Sequence, residues 1–367
     1  MAKNLNFQAP PALAIAEGAA APAPGIVGVS VWSTTLGKPV YWTGAAWTAG
    51  AAGGGAPADA TGAVQFNNAG SFAGAAGVFI VNGNLNLAVA TPAAAPANTI
   101  TAFAQTVAGR MMLAMRGPAG VERGLQPFLA RGCVGFWRPA GSSTAAAVAG
   151  GYLTPTIVGV ATSRVIATTN FFTRLKRIGY VSAATVASLV ESRVAAAQIS
   201  IGDGAGFGGF TKIVRFGISD AAPVGTARMF VGISSNTGAA TNVEPSTLTN
   251  SIGVGHGAAD TTLKLYFGGS AAQAPIDLGA NFPVNTQSAD AYELALFAAP
   301  NSTSVSYLVT RLNTGQSASG LLTAATAGLQ LPAPAILLSQ HKAWRTNNAT
   351  ALAVGLDLVS DYIETDN

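Results

Sequence analysis

A series of short apolar runs, each closed by glycine, proline, asparagine or serine, fills residues 210 to 357 of this chain. Runs of a few apolar residues between turn formers are typical of β-strands. We therefore predict an all-β fold that ends in a jelly-roll-like β-sandwich. The predicted strands are 212–219, 228–234, 263–267, 292–297, 305–312 and 352–358.

The pattern inside these runs predicts how they are arranged. In the run 305–312, Val305, Tyr307 and Val309 alternate with serine and threonine, which indicates a strand with one buried face. The runs 212–219 and 228–234 end in similar sequences, Phe-Gly-Ile-Ser and Val-Gly-Ile-Ser. This similarity predicts that these two strands are neighbours.

Charged residues are scarce, at 9% of the 367 residues, whereas apolar residues make up 49%. Globular chains usually carry about 25% charged residues. A surface so poor in charge favours burial of apolar area against other copies of the same chain. The net charge of the chain is only +4, and its basic residues are scattered along the sequence. The exception is the run 174–177, which we interpret as a solvated strand or loop end. Nucleic acid is therefore not a predicted partner.

The chain has one cysteine, Cys133, so it cannot form an intramolecular disulfide. Residues 1–8 lack the apolar segment of a secretory signal. No apolar run reaches the length of a membrane span, and we predict no membrane insertion.

The N-terminal quarter is built differently from the rest. Residues 1–25 are rich in proline and alanine, which favours an extended segment that becomes ordered on a partner. Residues 26–61 combine an aromatic β-module with a glycine-rich linker, and they contain Trp32, Trp42 and Trp47. So small a module cannot bury three indoles alone, so we predict that they pack on a neighbouring chain or another domain.

Two motifs in this part resemble those of one protein family. Residues 37–47 read Gly-Lys-Pro-Val-Tyr-Trp-Thr-Gly-Ala-Ala-Trp, and residues 62–67 read Gly-Ala-Val-Gln-Phe-Asn, followed by Gly70, Phe72 and Gly74. The first resembles a module of tail-fibre and adhesin proteins of tailed bacteriophages, and the second resembles a motif of phage fibre shafts. Asn82-Gly83 adds a hairpin signal between 78–81 and 85–87.

The resemblance implies a homotrimer with a defined order of domains. Residues 1–25 would attach to another virion protein, 62–127 would form an intertwined β-shaft, and 128–367 would form the displayed sandwich. Phe66 and Phe72 would join the three tryptophans in trimer or attachment packing. The protein would be made in the host cytoplasm and lie on the virion exterior, in the tail, the collar or another fibre.

The sequence shows no arrangement of catalytic residues. The isolated acids Glu191, Asp203, Glu244, Asp260, Asp277, Asp290 and Glu293 have no spacing that singles out a pair for glycoside hydrolysis. His256 and His341 are predicted to lie on the surface. We predict no enzyme activity, no metal and no cofactor.

The C-terminal acids leave two interpretations. Asp357, Asp361, Glu364 and Asp366 lie close together in sequence and could bind calcium. Because no calcium-loop pattern is present, a solvated acidic edge is the favoured interpretation.

Binding to a cell surface is the favoured function. Trp344, Arg345, Asn347 and Asn348 combine an aromatic face with planar polar groups in one predicted loop, and Tyr266 is a second candidate. Receptor contact and structural packing both remain open for these residues. We predict a virion fibre protein that binds a host-surface glycan or pilus without cleaving it. The alternatives are a purely structural collar, neck, head-fibre or baseplate component, and a polysaccharide depolymerase.

Overall fold

The computed structural model describes residues 30–33, 38–42, 47–49, 63–68, 71–82, 84–91, 95–117, 122–125, 133–202, 208–284, 286–300, 302–326 and 328–365. Before residue 78, and in 122–125, the description is limited to the backbone. The chain divides into two compact units, Met1–Ala93 and Ala94–Asn367. The four predicted domain ranges stay predictions.

The described residues form strands and two short 3-10 turns, as predicted for an all-β chain. The strands of the N-terminal part are β1 (Ser30–Ser33), β2 (Lys38–Trp42), β3 (Trp47–Ala49), β4 (Ala63–Asn68), β5 (Ser71–Val81), β6 (Asn84–Leu87), β7 (Thr101–Val107), β8 (Arg110–Arg116) and β9 (Glu122–Leu125). The remaining strands are β10 (Cys133–Pro139), β11 (Ala146–Gly150), β12 (Thr156–Val158), β13 (Val160–Ser163), β14 (Ile178–Val181), β15 (Leu189–Arg193), β16 (Phe210–Ile218), β17 (Arg228–Ser234), β18 (Ser251–His256), β19 (Lys264–Gly268), β20 (Ile276–Asp277), β21 (Tyr292–Ala298), β22 (Ser304–Arg311), β23 (Gln316–Thr323), β24 (Ser339–Thr346) and β25 (Gly355–Thr365). The 3-10 turns are Phe172–Arg174 and Pro245–Thr247.

Three small antiparallel sheets precede the sandwich, in the orders β1-β2-β3, β4-β5-β6 and β7-β8-β9. The hairpin predicted at Asn82-Gly83 is confirmed, because Val81 pairs with Asn84 and Asn82 has a left-handed φ of 50°. The side chains of Trp32, Trp42, Trp47, Phe66 and Phe72 lie outside the described residues. Their predicted packing roles therefore stay predictions.

Two large antiparallel sheets form the predicted sandwich. One has nine strands, with the order β11-β10-β25-β16-β21-β22-β23 and with β13 and β14 attached through β25. The other has seven strands in the order β12-β15-β24-β17-β18-β19-β20. The prediction that 212–219 and 228–234 are neighbouring strands is wrong, because β16 belongs to the nine-stranded sheet and β17 to the seven-stranded sheet.

The hydrophobic core lies between the inner faces of these two sheets. Val214, Leu294 and Val309 come from the nine-stranded sheet, and Val231 and Val254 come from the seven-stranded sheet. The alternation predicted for β22 is confirmed, since its valines and Tyr307 are buried and its serines are half-buried. Each apolar side chain in this layer contributes about 1.5–3 kcal/mol through burial.

A bulge in β25 changes which face its side chains occupy. Arg215 of β16 pairs with Ser360, but the next residue, Phe216, pairs with Leu358, so Val359 is an extra residue. Before the bulge Leu358 faces the core, and after it Asp361 does. One strand can therefore place acids on both faces of the sheet.

The acids of β25 form buried ion pairs, so the predicted solvated acidic edge is wrong. Asp357, Asp361 and Glu364 are at most 1% exposed, and β25 lies in the middle of the nine-stranded sheet. Asp366 lies outside the described residues. No helix within the described ranges is long and apolar enough to span a membrane.

Candidate functional site

The residues predicted to contact a receptor are mostly buried. Trp344 is 1% exposed and Arg345 is 0% exposed. They lie in β24, which pairs with β15 on one side and β17 on the other as far as Thr346, so the predicted loop is wrong at these positions. Of the four residues predicted to lie in this loop, Asn347 is also buried and Asn348 is half-buried.

Trp344 belongs to a small apolar cluster on the outer face of the seven-stranded sheet. Its ring stacks on Phe230, with centroids 6.4 Å apart, and Tyr266 joins the same cluster. Residues 235–250 lie over this cluster, and Asn242 Nδ2 donates to Asn348 Oδ1 across 3.1 Å. These contacts favour the structural role that the sequence left open.

Asn347 and Arg345 hold neighbouring segments together. Asn347 Nδ2 donates to the carbonyl oxygens of Thr185 and Leu352, at 2.7 and 2.8 Å. The Arg345 guanidinium binds the Asp220 carboxylate, with Nε 3.0 Å from Oδ1. Both side chains therefore form their hydrogen bonds within the protein.

The prediction that the two histidines lie on the surface is wrong. His256 Nε2 accepts a hydrogen bond from Arg345, and its Nδ1 lies 3.2 Å from the Gly257 carbonyl oxygen. Burial and the Arg345 charge lower the pKa of His256 to about 3. His256 is therefore a neutral, internal hydrogen-bonding group.

His341 belongs to a buried polar cluster in which it contacts a serine on one side and an aspartate on the other, as in a serine–histidine–aspartate triad. Its Nε2 lies 3.0 Å from Ser192 Oγ, and its Nδ1 lies 2.6 Å from Asp361 Oδ2. The Lys212 ammonium and the Tyr152 hydroxyl also bind Asp361. This cluster joins the inner faces of the two sheets.

The cluster is enclosed, so its geometry does not make an active site. Ser192, His341 and Asp361 are each 1% exposed. Burial lowers the pKa of His341, which opposes its action as a base. Burial also disfavours ionisation of Asp361, but Lys212 and His341 outweigh it and lower the pKa of this acid.

Nearly all of the other described carboxylates also form internal ion pairs. Every one whose side chain is described, except Asp277, forms an ion pair with arginine or lysine. Glu244 and Asp260 both face Gly257, but Arg228 and Lys264 pair with them. The described part of the chain brings together no three residues of the histidine, cysteine, aspartate and glutamate types that could hold a metal.

An open cleft whose lining includes three cations lies instead on the outer face of the nine-stranded sheet. We call it the outer trough. It measures about 520 Å³, and its lining includes Arg138, Ala147, Lys176, Arg215, Val359 and Ser360. None of these residues is among the site residues predicted from the sequence.

Strand register explains why these residues meet. Arg138 pairs with Ala147, and Arg215 pairs with Ser360 and Glu293. Trp137 pairs with Asp361, so the next residue, Arg138, lies beside Ser360. Side chains paired across neighbouring strands project from the same face. The two arginines therefore flank the bulge of β25, with backbones about 10 Å apart.

One end of the outer trough is closed by residues 164–177. Arg164 and Arg177 both bind the outward-facing Asp357 carboxylate, at 3.1 and 2.9 Å. The Phe172 ring lies over Gly217, where a Cβ atom would come 2.2 Å from the ring. This covering segment carries Lys176 to the edge of the trough.

The opposite end of the same face is occupied by the β7–β8 hairpin. Arg110 binds Glu364 at 2.8 Å and Thr211 at 2.6 Å, and its guanidinium lies over the Phe297 ring. Between the two covered ends lie the half-buried rings of Phe136 and Tyr362, which pair across β10 and β25. Phe136 is two residues from Arg138 on β10, and Tyr362 is two residues from Ser360 on β25. These two rings lie on the same face as the cations of the outer trough but outside its lining.

No sequence pattern would have found this site. Its cations come from β10, from β16 and from the run 174–177. The register of β25 brings the two arginines together, and the covering segment adds Lys176. Within that run, Arg177 is buried against Asp357, whereas Arg174 and Lys176 are exposed. The interpretation of the whole run as a solvated segment is therefore wrong for Arg177.

Comparisons with known proteins give only distant structural similarity. No protein-family model matches this chain, and no curated protein sequence matches it. Peanut lectin with a nine-residue peptide is 11% identical, with a TM-score of 0.41 over 64% of this chain and 98% of the lectin. Lectin II from Ulex europaeus is 12% identical, with a TM-score of 0.39 over 58% of this chain and 93% of the lectin.

The CBM2 module of the evolved Dit protein of Lactobacillus casei BL23 phage J-1 is also similar. It is 11% identical, with a TM-score of 0.35 over 57% of this chain and 81% of the module. At these scores the similarity identifies no shared site.

Proposed function

We propose that this chain is a bacteriophage virion fibre protein that binds a host-surface glycan or pilus without cleaving it. The outer trough carries this proposal, because it is open, concave and lined by cations. Its lining contains no carboxylate, histidine or cysteine. Such a surface can hold a ligand, but it lacks the paired acids that glycoside hydrolysis requires.

The sequence motifs in 37–47 and 62–74 support the virion assignment. In this proposal, residues 1–25 attach to another virion protein, and 26–61 and 62–127 form the aromatic module and the shaft. Residues 128–367 display the sandwich. The outer trough lies in this last range, where it is available to a ligand outside the particle.

Exposed apolar side chains support the proposed homotrimer. Met111 and Leu113 of β8 are 60% and 43% exposed, and Leu321 of β23 is 59% exposed. β23 is also an edge strand of the nine-stranded sheet. Edge strands and exposed apolar residues are the usual sites of further association. Three copies would also present three troughs, so weak sites would combine into strong attachment.

The test is binding of the full chain to an array of purified bacterial surface polysaccharides and pili. We expect saturable binding to at least one member, with no new reducing ends in a bound polysaccharide. No binding to any member would support a purely structural collar, neck, head-fibre or baseplate component. New reducing ends would instead indicate a depolymerase.

A further inference from the structure

The outer trough carries an excess of positive charge. Among the described residues, the Lys176 ammonium and the Arg138 guanidinium have no hydrogen-bond or ion-pair partner. Arg215 is 47% exposed and pairs with Glu293, which lies on the neighbouring strand outside the lining. Two of the three cations in the lining are therefore not neutralised by an acid, which favours a ligand with negative groups.

Its donors suit oxyanions in particular. An arginine guanidinium forms paired hydrogen bonds with carboxylate or phosphate, and lysine adds a charge of wider reach. The Ser360 hydroxyl lies between the two arginines and can donate to the same group. Val359, the extra residue of the bulge, forms part of the floor. Bulges are common where a strand redirects side chains at a binding site.

Aromatic rings on the same face favour a sugar as the carrier of these negative groups. Phe136 pairs with Tyr362 across β10 and β25, and both are half-buried. The Arg138 guanidinium lies over the Phe136 ring, 5.4 Å from its centre, which places a cation in contact with an aromatic ring on this face. Aromatic faces bind the apolar side of a ring while polar groups bind its substituents.

Nucleic acid fits the same surface less well. Sequence-independent duplex binding typically neutralises about six to ten phosphates. The outer trough offers three cations, and one of them is already paired.

We propose that the outer trough binds an acidic polysaccharide. Its carboxylate or phosphate groups contact Arg138, Lys176 and Arg215. Its sugar rings contact Phe136 and Tyr362. This inference rests on the proposed function and specifies its ligand class.

Titration of the full chain with three defined polymers tests the inference. Polygalacturonate supplies carboxylates, a phosphorylated mannan supplies phosphates, and dextran is the uncharged reference. We expect at least one acidic polymer to bind and dextran not to bind, with affinity falling as salt is added. Arg138→Ala and Lys176→Ala should each weaken binding about tenfold, as expected for a charge-assisted hydrogen bond.

Arg174→Ala is the matched control, because Arg174 is exposed in the same covering segment but does not line the trough. It removes one positive charge and should leave affinity unchanged. Three results would overturn the inference. They are binding to dextran as strong as binding to the acidic polymers, an equal loss of affinity in Arg138→Ala, Lys176→Ala and Arg174→Ala, and binding to duplex DNA that is stronger than binding to either acidic polymer. Binding to a neutral array member that Arg138→Ala does not change would overturn the ligand class alone. The absence of binding to every array member would overturn the proposed function as well.

Discussion

The Lys212 ammonium lies against the Asp361 carboxylate between the two sheets, and neither side chain is more than 1% exposed. Burial lowers the pKa of Lys212, and Asp361 counteracts this effect. The pair joins neighbouring strands, and His341 extends it to the opposite sheet. It is a structural connection inside a chain with few charges, so its loss should affect stability.

Replacing Asp361 with asparagine should destabilise the fold strongly. Asp361→Asn leaves Lys212 as a buried charge without its carboxylate, which typically costs about 3–5 kcal/mol. Urea unfolding of the full chain, followed by tryptophan fluorescence, measures the change. Glu293→Gln is the control, since it breaks the more exposed pair with Arg215 and should cost at most about 1 kcal/mol. Similar losses in the two variants would contradict the structural role of the buried pair.

Stability should fall as the pH is lowered from about 6 towards 4, because His256 must stay neutral in the folded chain. Its folded pKa is about 3, below the unfolded value of 6.5. The stabilisation is complete above the unfolded pKa and declines as the pH falls towards the folded pKa. The slope from this one histidine is at most about 1.4 kcal/mol per pH unit.

The variant His256→Gln isolates this contribution. Glutamine can accept a hydrogen bond from Arg345 but does not titrate in this range. Unfolding free energies measured from pH 7 to pH 4 should therefore change less steeply in the variant than in the unsubstituted chain. Identical slopes would contradict the lowered pKa, because His256 would then take up its proton over the same pH range in the folded and the unfolded chain.

Ser192 should be unreactive despite its contact with His341. The hydroxyl is enclosed between the sheets, so a substrate has no access to it. A fluorophosphonate probe for activated serines should not label the native chain. Labelling that Ser192→Ala removes would contradict the non-catalytic interpretation.

Trp344 should matter for stability and not for ligand binding. Trp344→Phe retains an aromatic ring against Phe230 but removes part of the buried indole, which should cost about 1–3 kcal/mol. Thermal unfolding measures this loss. Binding to the polymer selected by the array should be unchanged below the unfolding temperature. A specific loss of binding in the folded variant would restore Trp344 as a receptor contact.

Gly217→Ala should displace the covering segment of the outer trough. A Cβ atom there would lie 2.2 Å from Phe172 and 2.7 Å from the Asp290 carbonyl oxygen. Overpacking of this kind costs about 1–3 kcal/mol. Gly225→Ala is the control, because no atom other than those of its chain neighbours lies within 4 Å of the added carbon. Equal melting temperatures for the two variants would contradict the close contact at Gly217.

The sequence predicted local structure well where it depended on neighbouring residues. The alternation at Val305, Tyr307 and Val309 and the turn at Asn82 act over a few residues, so both were predictable. The pairing of β16 with β25 depends on residues about 150 positions apart, which no local pattern specifies. For this reason the similar endings of β16 and β17 suggested a pairing that does not exist.

The candidate site was hidden for the same reason. Trp344 and Arg345 have the residue types of a sugar-binding loop, but pairing on both sides of β24 buries them. Arg138 and Arg215 are unremarkable in sequence, and they become neighbours only through the register of β25. The acids of β25 look solvated in sequence because their arginine and lysine partners are distant along the chain.

The proposed homotrimer has a direct test. The exposed Met111, Leu113 and Leu321 should be covered when copies associate. Light scattering of the purified full chain should give three times the chain mass of 36.5 kDa. A single-chain mass at micromolar concentration would contradict the trimer while leaving the outer trough unaffected.

The most direct test of non-catalytic attachment is light scattering coupled to size-exclusion chromatography of the array-selected polysaccharide, with and without the full chain. We expect the protein to elute with the polymer, and we expect the polymer released from it afterwards to keep its original mass. Separate elution of protein and polymer, or a polymer of lower mass, would contradict the account.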